Sequence, residues 1–235
     1  MTTDNSIKRD IAGAHSTARQ RMATTHQRWR GLASQLGSGA AAAWRDYEAA
    51  VRELETVSNS AALRVAQLRK DDLIPAEGRR RLIDEALADG RTKRAAAAKQ
   101  MQAARTVLAA KARSAALPRL DPAREMAARD ELRLLADASD DPLDALVELA
   151  AAESDLAAVA VSRYGESYLR ARGVPKAPER HLLVQDRAVD AAKRSNDPTR
   201  RAAAEAYAAL PELDAAASCA HFVADGALDE ASVEL

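Results

Sequence analysis

Between Trp44 and Leu68, eight residues recur at alternating spacings of three and four: Trp44, Tyr47, Val51, Leu54, Ser58, Ala61, Val65 and Leu68. Only a helix gathers positions with that rhythm onto one face, and over this length the face must be covered by other helices. The preceding stretch repeats the pattern with Ile11, His15, Ala18, Met22, Thr25, Trp29, Leu32 and Leu36. Gly37-Ser38-Gly39 separates the two seams, with glycine suited to a helix end and serine to a helix start. The seams are out of phase across it, so a kink or turn belongs there. A third seam, Ile83, Gly90, Ala97, Met101, Ala104 and Leu108, is poorer in bulk and lets a partner helix come close. Helices are therefore expected over Ile7–Leu36, over Ala40–Lys70 and from Pro75 to Leu117. The second and third, each about 45–60 Å long, should turn back on one another at Asp71–Gly78 as an antiparallel hairpin.

Glycine (nine) and proline (eight) are scarce, and no segment alternates β-branched and polar residues over strand length. Much of the apolar content is alanine and aromatics are 3% of the chain, so each helix contact buries little area. The fold expected is all-α: an elongated antiparallel helical bundle, or coiled-coil hairpin of long helices, followed by shorter C-terminal helices and stabilised by another subunit. Asp121-Pro122, Asp141-Pro142 and Asp197-Pro198 each set a capping acceptor before a proline that needs no N–H in the first turn. They predict helices over Pro122–Ala138, Pro142–Arg172 and Pro198–Ala209. Further helices are expected over Pro178–Ser195 and Glu212–Ala224, with a frayed end. Three regions result: a long-helix hairpin over 1–117, an acidic helical region over 118–195 that packs on it, and short helices with an acidic tail over 196–235.

The 35 basic and 35 acidic residues cancel in number but not in place. Arg91–Arg113 holds seven basic residues and no acid, and Arg91, Arg94, Lys99, Arg105 and Arg113 fall within an arc of about 140° on a helix. Such a stripe could track phosphates. It could equally pair within the chain, since 121–162 carries eleven acids against three arginines. Blocks this matched set helix order and orientation, and with no aromatic interleaving, no DNA-reading motif and zero net charge, pairing within the chain or between subunits is favoured over nucleic acid. Arg19, Arg21, Arg28 and Arg30 on the first helix have no acid near them in sequence. They, with Arg91, Arg94, Lys99 and Arg105, are the candidate polyanion-binding residues.

No chemical motif emerges. Gly37-Ser38-Gly39 lacks the lysine and the strand of a phosphate loop, and no Glu-x-x-His occurs. The four histidines have no metal-ligand spacing, and Cys219 and His221 would point about 200° apart on a helix. No catalytic residue, metal or cofactor is assigned, and an enzyme is not expected. A single cysteine fits a reducing compartment. The start MTTDNSIKRD lacks a signal core, and acids interrupt the most apolar stretch, so a cytoplasmic protein outside the membrane is expected.

Trp29, Trp44 and Tyr47 gather near the first helical break, and Tyr164 and Tyr168 stand one turn apart. Each group reads either as local core or as an interface hot spot. Trp29-Arg30-Gly31 between two helices resembles, over about the first 70 residues, the Trp-x-Gly hairpins of small actinobacterial type VII secretion substrates. It departs from them in its late turn glycines, its greater length and the lack of a Tyr-x-x-x-Asp/Glu signal. In texture the chain is similar to the Ala/Arg-rich helical proteins encoded in the virion-assembly regions of tailed phages and prophages of actinobacteria. The expected function is structural: assembly with itself and other proteins through long-helix surfaces, in the cytoplasm or in a virion built there, with nucleic-acid association as the alternative and a type VII-like secreted helical hairpin as the third reading.

Overall fold

The structure, a computed structural model, describes residues 2–233, with side chains described over 10–232. These form ten helices: α1 (Thr2–Gln35), α2 (Ser38–Arg69), α3 (Ala76–Ala116), α4 (Glu125–Asp137), α5 (Pro142–Ala150), α6 (Asp155–Val161), α7 (Arg163–Ala171), α8 (Ala177–Ala192), α9 (Pro198–Ala208) and α10 (Leu210–Val233). The chain is all-α. It divides into two compact units: one holds α1 to Ser34, Ser38–Leu108 and the chain from Ala209, and the other holds Gln35–Gly37 with Ala109–Ala208. Contacts thus place the C-terminal helix in the same unit as α1 and α2, across the boundaries drawn from sequence at 117 and 195.

In the first unit the heptad positions do what their spacing implies. All eight seam residues of α2 and all six of α3 are buried. On α1 burial sets in at Ala18 and continues through Met22, Trp29 and Leu32, while Ile11 stays 38% exposed. α2 and α3 run antiparallel: Ala61, Val65 and Leu68 share a cluster with Ile83 and Leu87. They approach closely at Gly90, where a Cβ would lie 2.6 Å from the Ala61 Cβ. Arg79 secures the turn between them by donating to the Arg69 carbonyl at 3.1 Å and the Ile74 carbonyl at 3.2 Å.

α10 completes this unit. Leu228 and Ala231 join the α2–α3 cluster, and Leu213, Ala216, Ala220, Val223 and Ala224 are buried along the same helix. Tyr47 Oη donates to the Leu213 carbonyl and Arg69 to that of Ala231, so α10 runs parallel to α2. It opposes α1, where Trp29 Nε1 donates to the Ala209 carbonyl and the His15 ring meets Phe222 edge-on at 4.9 Å. Gly226 leaves room for that imidazole: a Cβ there would stand 2.4 Å from His15 Cε1. The frayed end expected after Ala224 is therefore corrected. The helix continues to Val233 because Leu228 and Ala231 have an apolar cluster to enter; Glu234 and Leu235 lie outside the described residues.

The second unit packs α4 to α8 around Leu132, Leu146, Val159, Leu169 and Val184, while Ala116 at the end of α3 joins Val189 of α8 and Ala203 of α9 in a second cluster. The single helix expected over Pro142–Arg172 is instead three. Ser154 Oγ caps α6 by accepting from Ala157 N–H. Ser162 ends α6 and starts α7, donating to the Val159 carbonyl at 2.7 Å and accepting from Tyr164 N–H at 3.1 Å. Gly165 permits the sharp bend, because a Cβ there would lie 2.0 Å from the Ala160 carbonyl oxygen, which His181 Nε2 also contacts at 2.9 Å. Breaking the helix lets α6 bury Ala157 through Val161 on all sides.

Caps behave unevenly. Asp141 and Asp197 each accept two backbone N–H groups at the starts of α5 and α9. Asp121 accepts only from Ala123, forming a turn, and α4 begins three residues after Pro122. Gly37 (φ 95°) and Gly173 (φ 74°) take the left-handed conformation that ends α1 and α7.

Candidate interaction surfaces

Three of the five charges of the basic stripe on α3, those of Arg94, Arg105 and Arg113, are neutralised inside the chain, but by acids other than those expected. In the first unit Arg105 forms a two-pronged contact with Asp214, at 2.8 and 2.7 Å, and Arg94 pairs with Asp225. In the second unit Arg113 reaches Asp186 at 2.8 Å. The acidic stretch 121–162 is served by other arginines: Asp155 by Arg124, Glu125 by Arg129, Asp137 by Arg172 and Glu153 by Arg200. The expected pairing of 91–113 with 121–162 is thus corrected. The physical reason is the placement of α10, whose apolar stripe carries acids along both edges into reach of α1 and α3.

The first basic helix follows the same rule in part. Arg28 pairs with Glu212 of α10, and Arg30 reaches Glu48 of α2 at 2.6 Å. Each such half-exposed pair contributes only about 0–1 kcal/mol. Burying Leu213 or Leu228 contributes about 1.5–3 kcal/mol apiece. The apolar stripe therefore holds α10 in place and the charges set its register. Of the eight candidate polyanion-binding residues, Arg28, Arg30, Arg94 and Arg105 are engaged. Arg19, Arg21, Arg91 and Lys99 stay exposed, and no ion pair joins them to an acid among the described residues.

Trp29, Trp44 and Tyr47 form a buried stack between α1 and α2: the indole rings are 6.3 Å apart and Trp44 lies 5.4 Å from Tyr47. His26 meets Trp44 and Tyr47 edge-on. Burial holds the His26 imidazole below its ordinary pKa, Glu48 pulls it up and Arg30 pushes it down. The hot-spot reading of these three aromatics gives way to a local core, since no face of them is presented to a partner. Tyr168 is buried as well, its hydroxyl donating to Asp137 at 2.6 Å; burial, then that hydrogen bond, pushes its pKa up to about 12. Tyr164 is half-buried, with Arg129 lying 5.0 Å over its ring.

Two concave regions stand out. In the second unit a cleft of about 700 Å³ is lined by Arg119, Arg124, Glu153, Asp155, Asp197 and Arg200. Its central group, Glu153, is already committed: the Ser195 hydroxyl, Asn196 and Arg200 hold its carboxylate below the usual range. In accepting from Asn196 it ties the α5–α6 turn to the α8–α9 turn. The cleft is a set of satisfied tethers.

In the first unit, along the edge of the α2–α3 hairpin away from α10, a groove of about 860 Å³ continues into one of about 580 Å³, with Glu53 and Lys93 shared by both. Its floor and walls are apolar, largely alanine with Val57, Leu82 and Val107, the last 45% exposed. The sequence reading missed this stripe because alanines one turn off a seam look like ordinary helix filler.

No family model, curated protein or solved structure matches this chain. Among the described residues no cluster of three or more His, Cys, Asp or Glu side chains could hold a metal ion, and no helix is long and apolar enough to cross a membrane.

Proposed function

We propose that this protein is a non-enzymatic structural or assembly component that works through the sides of its long helices, in a homo-oligomer or a larger complex. The observation that supports this reading is the open apolar groove along α2 and α3, a surface that only long paired helices could build. The most concrete version is a virion component of a tailed phage or prophage: a head, connector or tail accessory protein, or an assembly scaffold. That version draws on the Ala/Arg-rich helical texture. Purification from a native host under mild conditions, with mass spectrometry of what accompanies the protein, tests it. Virion structural proteins in fixed ratio support the reading; a solitary monomer overturns it.

A second reading, nucleic-acid association, is favoured by Arg19, Arg21, Arg91 and Lys99, which stay exposed and form no ion pair among the described residues. Four phosphate contacts would give a slope of about −3.6 in log affinity against log salt. No retention on DNA at low salt removes this reading.

A further inference from the structure

We infer that the α2–α3 groove is the interface at which two copies of this chain pair, along a two-fold axis parallel to the groove. The inference rests on the assembly reading and specifies its first contact. The groove runs lengthwise between two long helices. Ala49, Ala96 and Ala103 stand exposed at its edges above a buried floor that includes Ala50, Ala97 and Ala104. Side chains this small allow helix axes to approach to about 8 Å, the near limit of helix packing.

The charges on the rim choose the occupant. On α2 the rim reads Asp46, Glu53, then Arg64; on α3 the uncharged Gln100 and Ala103 stand across from Asp46, Lys93 across from Glu53, and Asp89 and Glu85 across from Arg64. At the heights of Glu53 and Arg64 the two sides therefore carry opposite signs. Rotation about an axis along the groove lays α2 of one copy against α3 of the other at the same height. Arg64 then faces Asp89 and Glu85 of the second copy, and Glu53 faces the turn that carries Lys93. The groove is its own electrostatic complement, as a two-fold interface requires.

Two further observations agree. On the α2 side Asp46, Glu53 and Arg64 form no ion pair among the described residues; on the α3 side Lys93 pairs with Asp89 at 2.7 Å and Arg81 with Glu85 at 3.5 Å, exposed contacts along one helix that a facing charge can share. The same axis also makes every neighbouring helix pair antiparallel, α2 with α3 inside each copy and α2 with α3 between copies, so helix dipoles oppose throughout. An unrelated acidic or basic partner would meet like charge at one end of the groove.

Sedimentation equilibrium on the full chain tests this. The wild-type protein is expected to be a dimer at micromolar concentration. Ala103→Glu sets a carboxylate on the exposed rim, opposite Ala49 of the second copy, and should weaken the dimer at least about tenfold without altering the circular dichroism spectrum. Arg64→Glu should weaken it similarly, and Ala49→Lys added to Ala103→Glu should restore it. A dimer indifferent to all three changes overturns the groove and leaves the assembly reading standing. A wild-type monomer overturns the pairing, and the assembly reading then stands or falls on what co-purifies from the host.

Discussion

Gly90 is a tight point between α2 and α3, and replacing it sets two effects of known sign against each other. Alanine in a helix interior is worth about 1 kcal/mol over glycine, so on propensity alone Gly90→Ala stabilises the protein. The added Cβ, however, would stand 2.6 Å from the Ala61 Cβ and 3.6 Å from Leu228 Cδ2. Carbon atoms rest about 3.5–4.0 Å apart, and a methyl on Cβ has no rotamer to escape into. The helices must part by about 1 Å, which loosens Val65, Leu68, Ile83 and Leu87 around it. Overpacking of this kind costs about 1–3 kcal/mol, so a net loss of about 1 kcal/mol is expected. Ala61→Gly removes the obstacle, and in that background Gly90→Ala should stabilise, with a coupling between the two sites of about 1–3 kcal/mol. Urea unfolding followed by tryptophan fluorescence is the suitable assay, because Trp29 and Trp44 both lie in this unit and report on it alone. A higher unfolding midpoint for Gly90→Ala in the wild-type background, or effects at the two sites that simply add, refutes the reasoning.

Three further outcomes are expected. Gly165→Ala drives a Cβ into the Ala160 carbonyl at a nominal 2.0 Å, a backbone obstacle that cannot swing aside, so a loss of about 3 kcal/mol should appear in thermal unfolding monitored by circular dichroism. Asp214→Asn removes the two-pronged contact with Arg105; with half of the aspartate exposed the cost should be about 0.5 kcal/mol in dilute buffer and should shrink as salt is added. His26 is held neutral by burial, so its folded pKa lies below the unfolded value of about 6.5. Its contribution is complete above that value and is lost as pH falls through the lower, folded one. Fluorescence-monitored unfolding should show stability falling on mild acidification, and His26→Gln should flatten that fall; an unchanged slope in the variant rules His26 out as its source.

Much of this architecture was legible in residue spacing. The seams of α2 and α3 and their antiparallel turn follow from rhythm alone, because a stripe of that length has few ways to be covered. What escaped was weaker in the code. Leu213, Ala216, Ala220 and Val223 keep the three-four rhythm, but alanine carries so little hydrophobic signal that α10 read as a short helix with a loose end. The helix at Glu212 and the acids around it were expected, but not its place beside α1 and α3, and that is why Arg28, Arg94 and Arg105 looked available to a polyanion. The break at Ser162 had a visible signal in a capping serine followed three residues later by glycine, masked by the apolar run on either side. The aromatic stack was ambiguous in principle, since the same residue types build cores and interfaces and only burial separates them. The groove could not be read in advance, as its shape depends on which side of the hairpin α10 takes.

The placement of α10 also bears on how the polypeptide emerges from the ribosome. The 100 residues of Ala109–Ala208 are translated between α3 and the helix that seals the α2–α3 cluster. At about 5–20 residues per second, the nascent hairpin waits about 5–20 s with the Val65 and Leu87 side chains wetted and with Asp225 and Asp214, the acids that meet Arg94 and Arg105, not yet made. Through that interval it is a natural client for a chaperone, and any product cut short before Leu228 would carry the same uncovered stripe permanently.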